Sequence, residues 1–384
     1  MTYEESSEKV RQALAKFSNT NSEDWFLCLK ARFGMAEIFY ALHDIKPDAE
    51  IITCPYTCIT AINPILVAGL KPIYADITPD YLSIYAPDDV LVGKKTAAIV
   101  MQHTLGIIKN KQKIANFAKK HQLLLIEDSA HCLTRFARDK ENNIISDISI
   151  HSFGVEKILT TTKFGGAIYV NPLLREKNPE LYKNITTRLK NLPKPDRSMS
   201  FRMRTYRYNN AVLQRLPSGI KQNLRNFEIK TGILEPAIYP FEQEAKQDQS
   251  QTTNSYINER ILSQIETLKS NFIRREANVN LYQKHLKSKK FEKIITKTEP
   301  LLAYPIIFNT TTQANQAYAM LSSESYFIRR WYSPLLYPGP KNIKDYFYNP
   351  KKYTIAEKIC QKTLCLPTDL PIIETQKIIK LLND

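Results

Sequence analysis

The chain predicts an α/β fold: a large domain on a mainly parallel sheet, followed by a smaller C-terminal α+β domain. Three observations predict it. Short apolar runs alternate with helical stretches through the first 170 residues. Several of these runs are apolar at every position, as strands covered on both faces are. From about residue 171 the alternation stops, and helices and short strands of another rhythm follow.

Residues 5–17 read as an amphipathic helix, and residues 34–44 as another, with Met35, Ile38, Phe39 and Leu42 at helical spacing. Strands are predicted at 50–53, 72–76, 97–102, 123–127, 147–152 and 167–170, with helices at 60–68 and 111–120 between them. Residues 190–255 carry scattered Pro and many Arg (Arg197, Arg202, Arg204, Arg207, Arg215, Arg225) and read as an irregular basic insertion. Helical periodicity returns at 257–287. Beyond it, LLAYPIIF reads as a strand and residues 311–321 and 375–382 as helices. The expected division is therefore 1–255 for the large domain and 256–384 for the long helix and small domain.

No stretch approaches the roughly 20 apolar residues a membrane-spanning helix needs. The charged first 16 residues lack the apolar core of a secretory leader, so a cytoplasmic protein is expected. The six cysteines contain no CxxC pair; Cys54 and Cys58 have no second pair or nearby His, so neither zinc nor a disulfide framework is expected. The formal charge of +16 favours anionic partners in general. No nucleic-acid motif accompanies it, so nucleic acid is not an expected partner.

In parallel sheets ligands sit at the carboxyl ends of strands. Cys54–Cys58, His103, Asp128 and Ser152 all fall there. Lys157 follows the strand that ends near Ser152 and precedes the Gly165–Gly166 pair. A lysine so placed is either a neutral amine nucleophile, its pKa lowered by its surroundings, or a solvated surface cation. Asp128 ends an almost wholly apolar strand. A carboxylate there needs a partner, either a cationic ring N–H or the amides of the next helix. Ser152 offers a hydroxyl, and Gly34, Met35 and Ala36 are expected to open a helix whose amides seat a phosphate. His131 stands three residues after Asp128, beside the same position. Lysine, carboxylate and phosphate donors together form the set that holds pyridoxal 5'-phosphate (PLP).

These segments, in order, resemble the DegT/StrS-type sugar aminotransferases, a branch of the fold-type I PLP enzymes with a seven-stranded large-domain sheet. CPYTCITAINPILVAGLKPIYADITPDYLSI is similar to the family's Pro/Thr/aromatic block and the strand after it. IEDSAH is similar to its Glu-Asp-x-Ala-(Gln/His) signature, and HSFGVEK to its Ser-Phe-x-x-x-Lys signature. SQIETLKSNFIRR, WYSPLLY and AEKICQKTLCLPTDL are similar to its later helix and C-terminal segments. The resemblance implies that Lys157 carries PLP and shuttles protons, that Asp128 meets the pyridine nitrogen, and that His131 lies beside the ring oxygen. It implies that Ser152 and the amides at Met35 and Ala36 bind the phosphate. It further implies transamination of a keto-sugar, nucleotide-linked, with glutamate as amino donor, by a homodimer.

The chain departs from the family pattern at four positions. Met35 stands where a Thr or Ser is usual, Cys58 where an aromatic ring stacks, and Ser250 and Thr252 where an Asn and an Arg occur. These departures leave a second reading, a non-transaminating relative with a regulatory or scaffold role. Lys163 is a rival to Lys157 but lacks the Ser-Phe pair before it.

Overall fold

A computed structural model describes residues 1–384 except 86, 155 and 160–163, and the side chains of 207 and 218. Lys163, the rival lysine, lies outside the described residues.

Seven strands form the central sheet: β1 Trp25–Cys28, β2 Glu50–Thr53, β3 Lys71–Tyr74, β6 Thr96–Gln102, β7 Leu124–Asp128, β8 Ile148–Ser152 and β9 Gly166–Val170. Their order across the sheet is β1-β9-β8-β7-β6-β2-β3. Pairing from β8 through β3 is parallel, and β9 runs antiparallel to both of its neighbours. The ladder pairs Gln102 with Asp128 and Asp128 with Ile150. The chemistry-bearing strand ends therefore share one edge. A small hairpin, β4 Ile77–Thr78 with β5 Ser83–Ile84, sits outside the sheet.

Helices α1 Tyr3–Ser18, α2 Ala31–Ile45, α3 Ile59–Val67, α4 Lys111–Lys120, α5 Leu173–Lys177 and α6 Pro179–Lys190 accompany the sheet. A capping box at Thr2 and Glu5 starts α1. Two glycines set how closely α2 approaches the sheet. A Cβ on Gly34 would overlap Ile168 Cγ1, and one on Gly166 would stand 2.7 Å from Ala31 Cα. Only a bare Cα fits at either contact.

The predicted helices and strands of the first 170 residues form with small end shifts, but three regions differ from expectation. WFLC pairs as β1, a strand the sequence pattern does not predict. The insertion is helical rather than irregular: α7 Arg197–Gln214 and α8 Ser218–Lys230 form a hairpin. The long helix is two, α9 Ser255–Ile265 and α10 Leu268–His285, broken at residues 266–267.

The C-terminal part is a three-stranded antiparallel sheet, β10 Phe291–Lys293, β11 Ala303–Phe308 and β12 Thr363–Pro367. Helices α11 Thr311–Ser323, α12 Thr354–Cys360 and α13 Ile372–Asn383 complete it. One apolar cluster joins the large sheet to Trp331, Tyr332, Tyr346 and Cys365, so the C-terminal residues pack directly on the cleft edge. A second cluster lies between the small sheet, α10, α11 and α13. Among the described residues no helix is long and apolar enough to cross a membrane.

Candidate active site

A cleft of about 430 Å³ opens at the carboxyl ends of β6, β7 and β8. Lys157, Asp128, His131, Ser152, Cys58 and Met35 all line it. So do Trp331 and Tyr332 from the C-terminal part and Lys30 and Arg32 at the start of α2.

Strand β7 is buried throughout and delivers Asp128 at its tip. Its Oδ1 accepts from the Ala130 N–H at 3.0 Å. Among the described residues nothing hydrogen-bonds Oδ2. Burial raises the Asp128 pKa, against the pull of the Ala130 amide and Lys157. A carboxylate in this state suits a cationic donor arriving from the cleft. The preceding Glu127 is satisfied entirely by protein: His103 Nε2 at 2.7 Å, the Ala137 N–H and Ser146 Oγ at 2.8 Å. Burial pushes the Glu127 carboxyl up, but these hydrogen bonds outweigh it and hold its pKa low.

Lys157 follows β8 on a tight turn. Glu156 is left-handed (φ 69°), and the Lys157 N–H donates to Gly154 O at 3.2 Å. The turn directs the half-buried side chain into the cleft, its Nζ 5.2 Å from the centre of the Trp331 ring. Burial lowers the Lys157 pKa and Arg329 adds to the effect, while Cys58 and Asp128 oppose it. A larger fraction of neutral, nucleophilic amine results.

His131 is buried, and its Nδ1 accepts the Leu105 N–H at 3.0 Å, so Nε2 carries the proton toward Tyr332 Oη at 3.3 Å. Its ring stacks on Trp331, centroids 5.2 Å apart and planes 9° apart. Burial, with Lys157 and Arg329, holds the imidazole well below the usual histidine range, so it is neutral. Ser152 is half-buried at the end of β8. Cys58 precedes α3 and accepts from Thr60 Oγ1 at 3.0 Å; burial raises its thiol pKa.

The expected phosphate seat lies further into α2 than its first turn. Helix α2 begins at Ala31, so its first-turn amides belong to residues 31–33, and Phe33 N–H already bonds Lys30 O at 2.9 Å. The amides of Gly34, Met35 and Ala36 lie past the first turn. Gly34 serves packing instead, and Ala36 is fully buried away from the cleft. Ser250 and Thr252 also point inward. Ser250 Oγ donates to Phe33 O at 3.3 Å, and Thr252 Oγ1 to Leu27 O at 3.0 Å.

Several site residues are not singled out by the sequence. Lys30 and Arg32 flank the helix start and are tied to the segment after α8. Lys30 Nζ meets Glu235 Oε1 at 2.6 Å, both buried, and Arg32 Nε meets Glu242 Oε1 at 2.6 Å. Pro236, Ala237 and Ile238 between the two glutamates line the cleft, so this strap forms one wall. The opposite wall is Trp331–Tyr337, secured by Tyr337 N–H to Thr57 O at 2.8 Å and Ile59 N–H to Tyr337 O at 2.9 Å. The WYSPLLY segment is distinctive in the sequence, but nothing in it announces a wall of the site.

The DegT/DnrJ/EryC1/StrS aminotransferase family profile matches residues 35–257, more than half of the chain. The chain belongs to this family. GDP-perosamine synthase of Caulobacter vibrioides is 32% identical over 128 residues, covering 33% of this chain and 34% of that protein. The chain thus spans about a third of the length of the curated relatives it matches. Among solved structures, Helicobacter pylori PseC, an aminotransferase involved in pseudoaminic acid biosynthesis, superposes with a TM-score of 0.72 at 18% identity, covering 98% of this chain and 90% of that one. NtdA of Bacillus subtilis, solved with bound cofactor PMP, gives a TM-score of 0.69 at 16% identity over 96% and 76%. At these identities the likeness establishes the family's α/β fold.

Proposed function

We propose that the protein is a PLP-dependent aminotransferase that passes an amino group, from glutamate, to a keto-sugar carried on a nucleotide. One observation carries the reading: Lys157 and Asp128 converge on one cleft, the amine shifted toward neutrality and the carboxylate's Oδ2 without a hydrogen bond among the described residues. The family membership supports it, as do relatives such as the Caulobacter synthase and the cofactor in the Bacillus subtilis structure.

The residues present fit the cofactor. Lys157 would hold it through its amine, Asp128 Oδ2 would take the N–H of its ring, and His131 would lie beside that ring. Ser152, Lys30 and the start of α2 would receive its phosphate. When bound, pyridoxal phosphate supplies an aldehyde for the amine and a ring that takes up the electron pair of a broken C–H bond.

The protein's own part is positioning and proton transfer. Asp128 keeps a positive charge on its partner atom. Neutral Lys157 Nζ would take the proton from the substrate carbon and, as the ammonium, would return it to the carbon on the far side of the nitrogen, two atoms away. His131, held by Leu105 and stacked on Trp331, packs the cleft without adding charge. Arg329, stacked behind Trp331, adds a positive charge near the cleft wall. The reading includes a cytoplasmic homodimer and a division of the chain near residue 255.

The test is spectroscopic. Purified protein given the cofactor should show the visible band of a lysine-linked chromophore, and glutamate should bleach it. Lys157→Ala should fold normally and lack the band. Asp128→Asn should keep the band and slow the bleaching by about 10²–10⁴-fold, the usual scale of such catalytic groups. A wild-type protein without the band, or a band unchanged in Lys157→Ala, refutes the proposal. A normal band indifferent to every amino donor favours the regulatory or scaffold reading.

A further inference from the structure

The hairpin α7–α8 spends its apolar residues on two faces. One face of α7, with Met199, Met203, Tyr206 and Leu213, is buried against the protein. Phe201, Tyr208 and Val212 form a second stripe on the opposite side, spaced by seven and four residues. Phe201 is 64% exposed and Tyr208 78%. Helix α8 repeats the arrangement with Ile220, Leu224 and Phe227, spaced by four and three, Phe227 being 58% exposed. Uncovered apolar stripes on consecutive helices mark a surface that meets something.

Charge says what it meets. Residues 197–230 hold eight Arg or Lys and one acid, Glu228. Arg197, Arg204 and Arg215 are exposed and border the apolar stripe of α7. A second copy that set its own hairpin against this one across a two-fold axis would bring the two excess positive charges together. Nucleic acid would pair with the arginines but has no use for Val212, Ile220 and Leu224. A helix with aromatic and aliphatic residues on one side and arginines along its borders instead matches an anionic bilayer surface. There the rings enter the headgroup boundary and the cations meet lipid phosphates.

We propose that the α7–α8 hairpin is a peripheral membrane-docking element that lays Phe201, Tyr208, Val212, Ile220, Leu224 and Phe227 into the surface of an anionic bilayer. Arg225 and Ile229 of α8 line the cleft, so docking holds the cleft beside the membrane. The proposal is independent of the reaction in the cleft.

Cosedimentation with vesicles tests it. The protein should sediment with phosphatidylcholine vesicles containing phosphatidylglycerol, not with phosphatidylcholine alone, and added salt should weaken the association. Arg197→Gln with Arg215→Gln should lower the partition coefficient about thirtyfold, the equivalent of ~1 kcal/mol per cation. Phe201→Ser with Phe227→Ser should abolish what binding persists at high salt. All four positions are exposed, so unchanged melting of both variants checks the fold. Equal affinity for both vesicle types, or for neither, overturns the proposal. So does dissociation of an oligomer by the phenylalanine variant, which would assign the stripe to a second copy. Salt-sensitive RNA binding that the phenylalanine variant leaves intact would overturn it in favour of nucleic acid.

Discussion

Replacing Glu235 by glutamine strands a buried ammonium. Lys30 is 6% exposed and Glu235 fully buried, with Nζ and Oε1 2.6 Å apart. At an effective dielectric constant near 20 their attraction is about 6 kcal/mol. The amide of Glu235→Gln keeps an oxygen for Lys30, and its NH2 can donate to Tyr239 Oη, which now donates to Oε2. The net cost should therefore fall at the ~3–5 kcal/mol typical of a buried pair with one partner removed. The ceiling comes from Lys30 itself. Burial, then the Arg32 charge, already lowers its pKa, so losing the proton is the variant's escape. The unfolded chain binds this proton more tightly, so stability rises with pH between the folded and unfolded lysine values. The deficit of Glu235→Gln should shrink as pH is raised from 7 toward 10. The assay is urea unfolding followed by the fluorescence of Trp25 and Trp331, the two tryptophans. Lys30→Met combined with Glu235→Gln should recover part of the loss, since the fully enclosed ammonium is gone and only the less buried Arg202, which meets Glu235 Oε2 at 3.3 Å, is left without its carboxylate. A single-variant cost below about 1 kcal/mol, or a double variant costing the sum of the singles, would refute the reasoning.

Gly34→Ala should destabilise by about 1–3 kcal/mol, because its methyl would press on Ile168 Cγ1 and the Cys28 thiol lies 3.2 Å away; thermal melting measures it, and an unchanged midpoint would show that α2 can lift off the sheet freely. His131 and His151 are both held neutral by burial, His151 with its pKa down at about 3. Their folded values lie below the unfolded one, so stability should fall as pH drops below about 6.5, by up to ~1.4 kcal/mol per pH unit for each. Ring-proton chemical shifts of both should stay flat from pH 8 to 5; a titration in that window would contradict the buried neutral rings.

Much of the fold is legible because its strands are buried on both faces. An all-apolar run such as LLLIE ending in Asp128 has few other homes. The signals fail where a segment serves two masters. In α7 the apolar residues supply both a buried and an exposed stripe, so no single periodicity emerges and the arginines dominate the pattern. Strand β1 is four residues long, and its pairing with β9 depends on a glycine 138 residues downstream of Cys28. The site divides the same way. Lys157, Asp128, His131, Ser152 and Cys58 sit at strand ends or helix starts and can be located by topology. The start of α2 lies earlier than its pattern suggests because Lys30 and Arg32 do not resemble caps. Their meaning resides in Glu235 and Glu242, some 205 and 210 residues away, which no local pattern reveals.

The strap from Glu235 to Glu242 is distinct in the chain from the residues proposed to do the chemistry, and it shapes the cleft they line. Asp128 is anchored at the end of β7 and Lys157 on the turn after β8, whereas the strap wall follows an inserted hairpin and is fastened to α2 chiefly through Glu235 and Glu242. Such a wall is exchangeable. Its sequence can drift, or be swapped between relatives, as long as two carboxylates still meet Lys30 and Arg32, and the contour offered to the substrate changes without moving a strand. Under the proposed function, selectivity in this scaffold can therefore evolve on a schedule of its own, decoupled from Lys157 and Asp128.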